Sequence, residues 1–386
     1  MKRLSQIIRK NLKTHDFKQG HIGNCGLIAA LASLPKRPEF LKEIAPKTIK
    51  DRDGKKLEFK MFSQGKPLKV TIDYNLPLDN NNSLIYARSA RNEKFYLASY
   101  FEKAFVKQAC FNSYKKSEFT DTLFALMSFS DCMGVRGIWD KNGSKDSAVE
   151  FLKSEVNNKS SIVLALAPSL NCEPEDEANS AHAYTIIDYN CRYQAVKLYN
   201  PSCYPQQCVS DENLPQSLTM SADPAKGELW LSVDQFKKRH VSIASLLPKD
   251  TYKSVLKLNE QVNFRFVNKV KRKVVWKACV KEPSTILINL FSYSHMLHEC
   301  DLKVATIGAD SQTVDLDYKL KKCVINHPTL KDKNGCANSS YFQQFELQPN
   351  SYEFSFEINI EEDEILGKID DFFLKVGCTS KCTLLK

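Results

Sequence analysis

No stretch of this 386-residue chain is apolar for long enough to cross a bilayer, which sets aside a helical membrane protein. The opening residues, MKRLSQIIRKNLKTHDF, carry charge but no apolar segment and no small-residue cleavage site. They do not read as a signal peptide, so the cytosol is the default compartment. Internal repeats and low-complexity tracts are absent, which sets aside solenoids and fibrous chains. No loop has the EF-hand form D-x-D-x-D-G. Histidine is scarce, at seven residues, so each one weighs in a search for acid–base chemistry. Cysteine is plentiful by contrast. Thirteen is an odd count, scattered along a long chain, and suits free thiols better than a disulfide framework. The close pairs Cys203/Cys208 and Cys378/Cys382 lack the second pair or paired histidines of a usual zinc site.

Hydrophobic residues make up 42% and charged residues 26%, the balance of a soluble globular chain. The length suggests two domains, or three small ones. The net charge of +10 is spread along the chain rather than gathered in one arm. Its densest segment, KVKRKVVWK (269–277), alternates basic and apolar residues as a half-solvated strand does. That reading is preferred to a surface for nucleic acid or anionic lipid, and no nucleic-acid partner is expected.

Residues 23–34 suit a buried helix, with Asn24 placed to cap it. KLEFKMFSQGKPLKVTIDYNLPL (56–78), broken at Gly65-Lys66-Pro67, reads as a β-hairpin. In 94–111, Phe95, Ala98, Phe101, Phe105 and Val106 recur near helical spacing, and a further helix is expected over 145–156. Strands are expected at 162–167, 182–190 and 194–201, the last two joined by a tight turn at Asn190-Cys191-Arg192. A strand and a short helix follow over 227–239. Past about residue 255 long helices vanish. VNFRFVN, KVVWKACV, STILINLFSYS, DLKVATIG, YFQQFELQP, SYEFSFEINI and DFFLKVGC follow one another, the signature of an antiparallel sandwich.

One cysteine stands apart. Cys25 follows Gly23 and Asn24 at the start of the first helix, with Gln19 upstream. A helix N-terminus and a nearby imidazolium both lower a thiol pKa and make the sulfur nucleophilic. His182 opens an aliphatic strand, and Asn200 ends its neighbour. The hairpin would bring the asparagine amide beside the imidazole, fixing its tautomer and leaving the other ring nitrogen to face sulfur. Gln19 and the Cys25 backbone N–H could then serve an oxyanion. Spacing alone leaves the plainer reading open: a cysteine in a buried helix is usually inert packing, and a strand histidine is usually just hydrogen-bonded.

QGHIGNCGLIAALASL (19–34) resembles the calpain active-site segment Q-G-x-L-G-D-C-W-L-L-A-A-x-A-S-L. YNLPLDNNNSLIYARSARNEKFYLASYFEKAFVK (74–107) resembles the family's D-x-L-P motif, a surface turn and F-W-x-x-L-L-E-K-A-Y-A-K. AHAYTIIDY (181–189) is similar to G-H-A-Y-S-V, GELWLSVDQF (227–236) to G-E-F-W-M-S-F-x-D-F, and LYNPSC (198–203) matches R-N-P-W-G only through Asn-Pro. STILINLFSYS (284–294) and SSYFQQFELQPNSYEF (339–354) resemble the calpain C2-like domain. The resemblance implies an α+β chain with a two-lobed, papain-like calpain protease core over 1–250. Its helical lobe would span about 1–115 and its β-rich lobe about 116–250. An all-β C2-like sandwich would follow over 255–386. It implies Cys25 as nucleophile, His182 as general base, Asn200 as orienting residue and Gln19 in the oxyanion hole. The reaction would be hydrolysis of peptide bonds in protein substrates through a thioester acyl-enzyme.

The departures bear on control. The family's Trp after the cysteine is Gly26, its Trp two residues after the triad Asn is Ser202, and its Gly before the histidine is Ala181. The acidic residues of the family's two core calcium sites are not clearly placed. Asn24 stands where the family segment has Asp, and the loop PSCYPQQCVSDEN (201–213) offers Asp211 and Glu212 but no acidic cluster. Calcium is therefore the one ion implied, with degraded core sites, and no organic cofactor is implied. No EF-hand domain is expected in this chain. A contact of the sandwich with acidic membrane lipid, for example near Glu361-Glu362-Asp363-Glu364, stands beside the reading of that run as a solvated turn. Two function classes follow: a calpain-like intracellular cysteine endopeptidase with calcium control altered or lost, and a catalytically weak or inactive relative that acts as a protein-binding scaffold.

Overall fold

Residues 26–33 are apolar or small on every side, a pattern that suits a helix enclosed by other elements. The structure, a computed structural model, forms helix α1 over Cys25–Ser33 and buries every residue from Gly26 to Ser33. It describes residues 12–37, 43–51, 54–63, 66–92, 95–109, 113–118, 120, 122–132, 134–138, 149–150, 152–153, 156, 162–168, 181–238, 242–246, 251–262, 269–292, 299–306, 315–319, 339–361 and 370–385. The chain divides into two compact units, the first mainly Met1–Asp131 and Arg136–Leu247, the second mainly Pro248–Ile325 and Cys336–Lys386. Among the described residues no helix is long and apolar enough to cross a membrane.

Asn24 does stand at the N-cap position of α1, but its side chain makes no capping bond. Its amide turns instead to the buried carboxylate of Glu102, with Nδ2 donating to Oε1 at 2.6 Å. A carboxylate enclosed by protein needs donors more than a helix end does. Burial pushes the Glu102 pKa up to about 7, against the lowering effect of the Ala87 N–H and the Asn24 amide.

In the first unit, strands β1 (Lys47–Asp51), β2 (Gly54–Ser63) and β3 (Lys66–Ile72) form an antiparallel sheet in that order. Leu57, Phe59 and Met61 alternate inward along β2. The expected hairpin is present, but its second strand stops at Ile72 rather than running toward 78. There Lys103 of the next helix claims the chain, its Nζ bonding Asp73 Oδ1 and Asn75 O at 2.7 Å each. That helix, α2, spans Leu97–Gln108, so Phe95 lies outside it. Phe101 on α2 meets Phe17, Phe59 and Phe129 edge-on, with centroid separations from 5.1 to 6.2 Å. Helix α3, Thr122–Phe129, has no counterpart in the sequence reading: TLFALMSF is apolar on nearly all faces and shows no period.

A second sheet combines β4 (Gly134–Ile138), β5 (Ile162–Pro168), β6 (Ala181–Asn190), β7 (Ala195–Tyr199), β8 (Glu228–Ser232) and β9 (Ser242–Leu246) in the order β4-β9-β5-β6-β7-β8. The strands expected at 162–167, 182–190 and 194–201 are β5, β6 and β7. The β6–β7 turn runs over 191–194, where Asn190 Oδ1 accepts the N–H groups of Arg192 and Tyr193 at 3.0 and 3.2 Å. The strand and short helix expected over 227–239 are β8 and Val233–Lys238. Of the helix expected over 145–156, positions 149, 150, 152, 153 and 156 are helical and the others lie outside the described residues. Leu152 packs there with Tyr184, Ile186, Leu198 and Phe236.

Among the described residues the second unit contains nine strands: β10 (Ser254–Val262), β11 (Lys269–Val280), β12 (Ser284–Ser292), β13 (Glu299–Thr306), β14 (Asp315–Lys319), β15 (Ser339–Leu347), β16 (Asn350–Glu361), β17 (Asp370–Cys378) and β18 (Thr383–Leu385). They form two antiparallel sheets, ordered β10-β17-β12-β15 and β14-β13-β16-β11-β18. The first strand is SVLKLNEQV, ahead of the expected VNFRFVN, of which 263–268 lie outside the described residues. The basic run 269–277 lies in β11, where Lys269, Lys273 and Lys277 stand opposite Glu361, Glu357 and Glu353 of β16. Trp276 stacks on its cross-strand partner Phe354 at 3.8 Å. In the acidic run 361–364, Glu361 ends β16 and the other three lie outside the described residues.

Gly26 shows how tightly α1 is seated. A β-carbon there would overlap the Thr120 carbonyl oxygen, whereas one at Gly23 would meet nothing within 4 Å. Gly26→Ala is therefore expected to destabilise the chain by about 1–3 kcal/mol. Gly23→Ala should stay within about 0.5 kcal/mol of the parent. Urea denaturation of both variants measures the contrast, and equal midpoints would contradict this packing.

Candidate active site

Cys25 is the first residue of α1 and is half-buried. It is thus at the helix end whose unpaired N–H groups favour an anion. His182 is the second residue of β6, paired across to Ala167 of β5. The buried Thr185 hydroxyl donates to the Ala29 carbonyl at 2.7 Å, tying the middle of β6 to the middle of α1. Cys25 and His182 are brought near each other as a result, close enough that each shifts the titration of the other.

Their electrostatics run in opposite directions. Burial pushes the Cys25 thiol up, but the His182 charge and hydrogen bond, with the N–H groups of Ala183 and Gly26, bring it below its ordinary value. Burial pushes His182 down, but the Cys25 charge and the bonds to Cys25 and Asn200 carry it above its ordinary value. A thiol held low beside an imidazole held high is poised to exist as thiolate and imidazolium.

Asn200 is buried at the end of β7, and its Oδ1 lies 2.8 Å from His182 Nε2. That contact leaves Nδ1 for the sulfur. The edge of the Tyr184 ring packs on the imidazole, with centroids 4.9 Å apart. The Asn200 backbone is fixed by Gly227: Asn200 N–H donates to Gly227 O at 2.7 Å. Gly227 has φ +85°, and a β-carbon there would lie 2.5 Å from Asn200 O. Only glycine suits both the backbone conformation and the close approach. In the sequence Gly227 simply opens the motif GELWLSVDQF. Its special role follows from a contact between residues far apart in sequence, so no local signal marks it.

Gln19 is brought to the same place. Its backbone N–H donates to Pro201 O at 2.8 Å, joining it to the residue after Asn200. Its amide Nε2 donates one proton to Ile22 O at 2.6 Å and retains a second. The preceding segment is stitched to β7 and β8. Tyr199 OH donates to Phe17 O at 2.7 Å, and Glu228 bonds His15 Nε2 at 2.8 Å and Lys197 Nζ at 2.7 Å. Burial raises the Glu228 pKa, yet the His15 and Lys197 bonds hold it down to about 2. A depressed carboxylate stabilises the fold above its unfolded pKa of about 4.3, and that contribution is lost as pH falls through about 2.

At the two positions where the resembling family has tryptophan, the structure is differently filled. Thr120 occupies the space beside Gly26. Ser202 places its backbone N–H and its hydroxyl 3.0 and 2.8 Å from Asn200 Oδ1, so it is part of the site rather than a mere gap. Gln207 and the buried Cys208 thiol, which lie close by, were not singled out from sequence as site residues. Among the described residues, no three His, Cys, Asp or Glu side chains gather as a metal site would require.

Comparison with known proteins bears on the same segment. The model for the calpain family cysteine protease matches residues 1–245. Mouse calpain-12 is 33% identical over 264 residues, covering 63% of this chain and 36% of that protein. The chicken calpain-2 catalytic subunit is 24% identical over 276 residues, covering 63% and 38%. The matched part thus spans little more than a third of these relatives. Among solved structures, the clostridial cysteine protease Cwp84 aligns over 96% of this chain and 98% of that one at 10% identity, but its TM-score of 0.27 is too low to bear on the fold. The family match covers more than half of the sequence and contains Cys25, His182 and Asn200, and on that match this chain belongs to the calpain family of cysteine proteases.

Proposed function

We propose that the chain is a cysteine endopeptidase that hydrolyses peptide bonds in protein substrates through Cys25, His182 and Asn200. One observation carries this reading: the thiol is held low by the same imidazole that it holds high, at the N-terminus of a helix. The Cys25 thiolate attacks the scissile carbonyl carbon. The second Gln19 amide proton and the Cys25 backbone N–H receive the oxyanion. His182 gives its proton to the leaving amine, and a thioester remains. His182 then takes a proton from water, the hydroxide attacks the thioester carbonyl, the C–S bond breaks, and the acyl half leaves as a carboxylic acid while Cys25 returns to thiolate beside the imidazolium. Asn200 keeps Nε2–H engaged so that Nδ1 faces sulfur throughout. A binding scaffold has no use for a thiol activated in this way, which favours the enzyme over the inactive relative.

The catalytic core would occupy residues 1–250, with a helical lobe over about 1–115 and a β-rich lobe over about 116–250. A C2-like sandwich over 255–386 is supported by topology. From β10 to β18 the chain passes to the other sheet at every connection except β13 to β14. Free thiols at Cys25, Cys132, Cys191, Cys203, Cys208, Cys279, Cys378 and Cys382 suit a reducing compartment such as the cytosol.

Calcium control is read as weakened. A core calcium site needs several carboxylate or carbonyl oxygens free to converge on one ion. Asp211 in the loop after Asn200 already accepts both Asn213 N and Nδ2 at 3.0 Å, together with the Ser232 hydroxyl. Asp16 is engaged by Ser89 and Arg91, and Glu102 by Asn24 and the Ala87 N–H. These carboxylates are spent on protein donors and do not fit a resident ion.

Three outcomes are expected. A thiol-reactive peptide epoxide should label Cys25 far faster than the other cysteines. Cys25→Ser and His182→Ala should fold and cleave nothing, while Asn200→Ala keeps a measurable residue of activity. Even labelling over many cysteines, or cleavage by Cys25→Ser, would defeat the reading. The pH profile of kcat/KM should be bell-shaped, since activity needs Cys25 deprotonated and His182 protonated. Its acid limb should fall below the ordinary thiol value of about 8.5 and its alkaline limb above the ordinary imidazole value of about 6.5. A single limb rising near the free-thiol value would contradict the ion pair. Finally, peptide cleavage should persist in chelator and change little on calcium addition. Activity absent in chelator that climbs steeply with calcium, alongside two sites titrating by calorimetry, would overturn the calcium reading.

A further inference from the structure

Asn200 can position His182 only when its amide faces one way, oxygen toward the ring and nitrogen away. The terminal torsion of an asparagine is broad and selects neither face by itself. Neighbouring groups must choose, and the loop after β7 supplies them. Asn200 Oδ1 lies 2.8 Å from His182 Nε2. The same oxygen accepts the Ser202 backbone N–H at 3.0 Å and lies 2.8 Å from the Ser202 hydroxyl. On the other side, the buried Asn200 Nδ2 has no hydrogen-bond partner. Reversing the amide would set an NH2 group against three donors.

The Ser202 hydroxyl has a second neighbour, Gln207 Oε1, at 2.9 Å. One hydroxyl carries one proton and cannot serve two oxygens. Turning the Gln207 amide end for end, which exchanges atoms of nearly equal size, offers its NH2 to Ser202 Oγ. The serine proton is then free for Asn200 Oδ1. A chain of donors runs from Gln207 to Ser202 to Asn200 and meets the His182 N–H at one oxygen.

We propose that Ser202, oriented by Gln207, is a positioning residue for the Cys25–His182 pair. The inference rests on the protease reading above. Ser202 does not touch the sulfur; it acts through Asn200 and then His182. Losing it should loosen the imidazole and reduce the fraction of Cys25 held as thiolate, without altering the groove that holds a peptide. The signature is a change in kcat and thiol reactivity with KM unmoved.

The test uses the full chain with Ser202→Ala, Ser202→Thr and Gln207→Glu. Two quantities are read: the rate of Cys25 alkylation by iodoacetamide at about pH 6, where ordinary thiols are mostly protonated, and kcat and KM on a peptide. Alkylation reports the thiolate–imidazolium pair without turnover. Ser202→Ala should slow alkylation and lower kcat by about 3- to 10-fold at constant KM. Ser202→Thr, which keeps the hydroxyl, should recover most of that loss. Gln207→Glu should reproduce the loss with Ser202 intact, because its carboxylate draws the serine proton away from Asn200. Folded Ser202→Ala that alkylates at the parent rate, or Ser202→Thr as slow as Ser202→Ala, overturns the proposal. Should Ser202→Ala fail to fold, Gln207→Glu decides: an unchanged rate overturns it and a slowed rate supports it. A parent chain whose Cys25 is no more reactive than its other thiols would instead sink the protease reading, and this inference with it.

Discussion

The candidate site depends on one buried hydrogen bond, from the Thr185 hydroxyl in β6 to the Ala29 carbonyl in α1. It joins a strand to a helix at points 156 residues apart in sequence. Cys25 lies one helical turn above Ala29, about 6 Å along the axis. His182 lies three residues before Thr185, about 10 Å along the strand. Fixing the two elements at their middles fixes the meeting of their ends. The packing around that bond leaves little slack. Ala29, Ala30, Leu31 and Ala32 are fully buried, and Gly26 presses on the Thr120 carbonyl. Small residues in α1 let the helix come close enough for a side-chain hydroxyl to reach its backbone.

A second frame surrounds Asn200. Its backbone N–H is held by Gly227, its neighbour Pro201 accepts the Gln19 N–H, and its amide oxygen is shared by His182 and Ser202. The residues that orient the His182 imidazole and the residue proposed for the oxyanion are therefore parts of one backbone network. The cluster in which Glu228 bonds both His15 and Lys197 anchors the N-terminal segment to the same strands. Glu228 lies beside Gly227, so the strand that fixes Asn200 also fixes the approach of Gln19. Charge serves here to hold the geometry around the thiol and the imidazole.

Much of this organisation is visible in the residues themselves. The apolar run after Cys25, the alternation in β2 and the aromatic spacing in α2 each carry a period that a helix or strand imposes. The order of Cys25, His182 and Asn200, together with Gln19, marks a thiol-protease constellation once the flanking motifs are compared with the calpain segments. Other elements carry no such mark. Helix α3 is apolar nearly all round, so it lacks the contrast that reveals a helix. Asn24 looks like a cap, but the buried carboxylate of Glu102 offers it a stronger partner. SVLKLNEQV carries no strong strand signal of its own, yet it pairs along its whole length with β17. Pairing partners, unlike propensities, are not written locally.

The sequence by itself determined which groups are available: one thiol at a helix start, a histidine and an asparagine on neighbouring strands, and an amide upstream. It also determined the replacement of two tryptophans by Gly26 and Ser202. Only the tertiary structure decided what those replacements do. Gly26 admits the Thr120 backbone, and Ser202 turns its hydroxyl to the asparagine oxygen rather than to solvent. Only the fold, likewise, decided that Gly227 must be glycine and that Asp16, Glu102 and Asp211 are bound to protein donors. The physical reason is the same in each case. Residue chemistry is local, whereas distance, burial and the choice among competing hydrogen-bond partners arise when segments far apart in the chain are brought together.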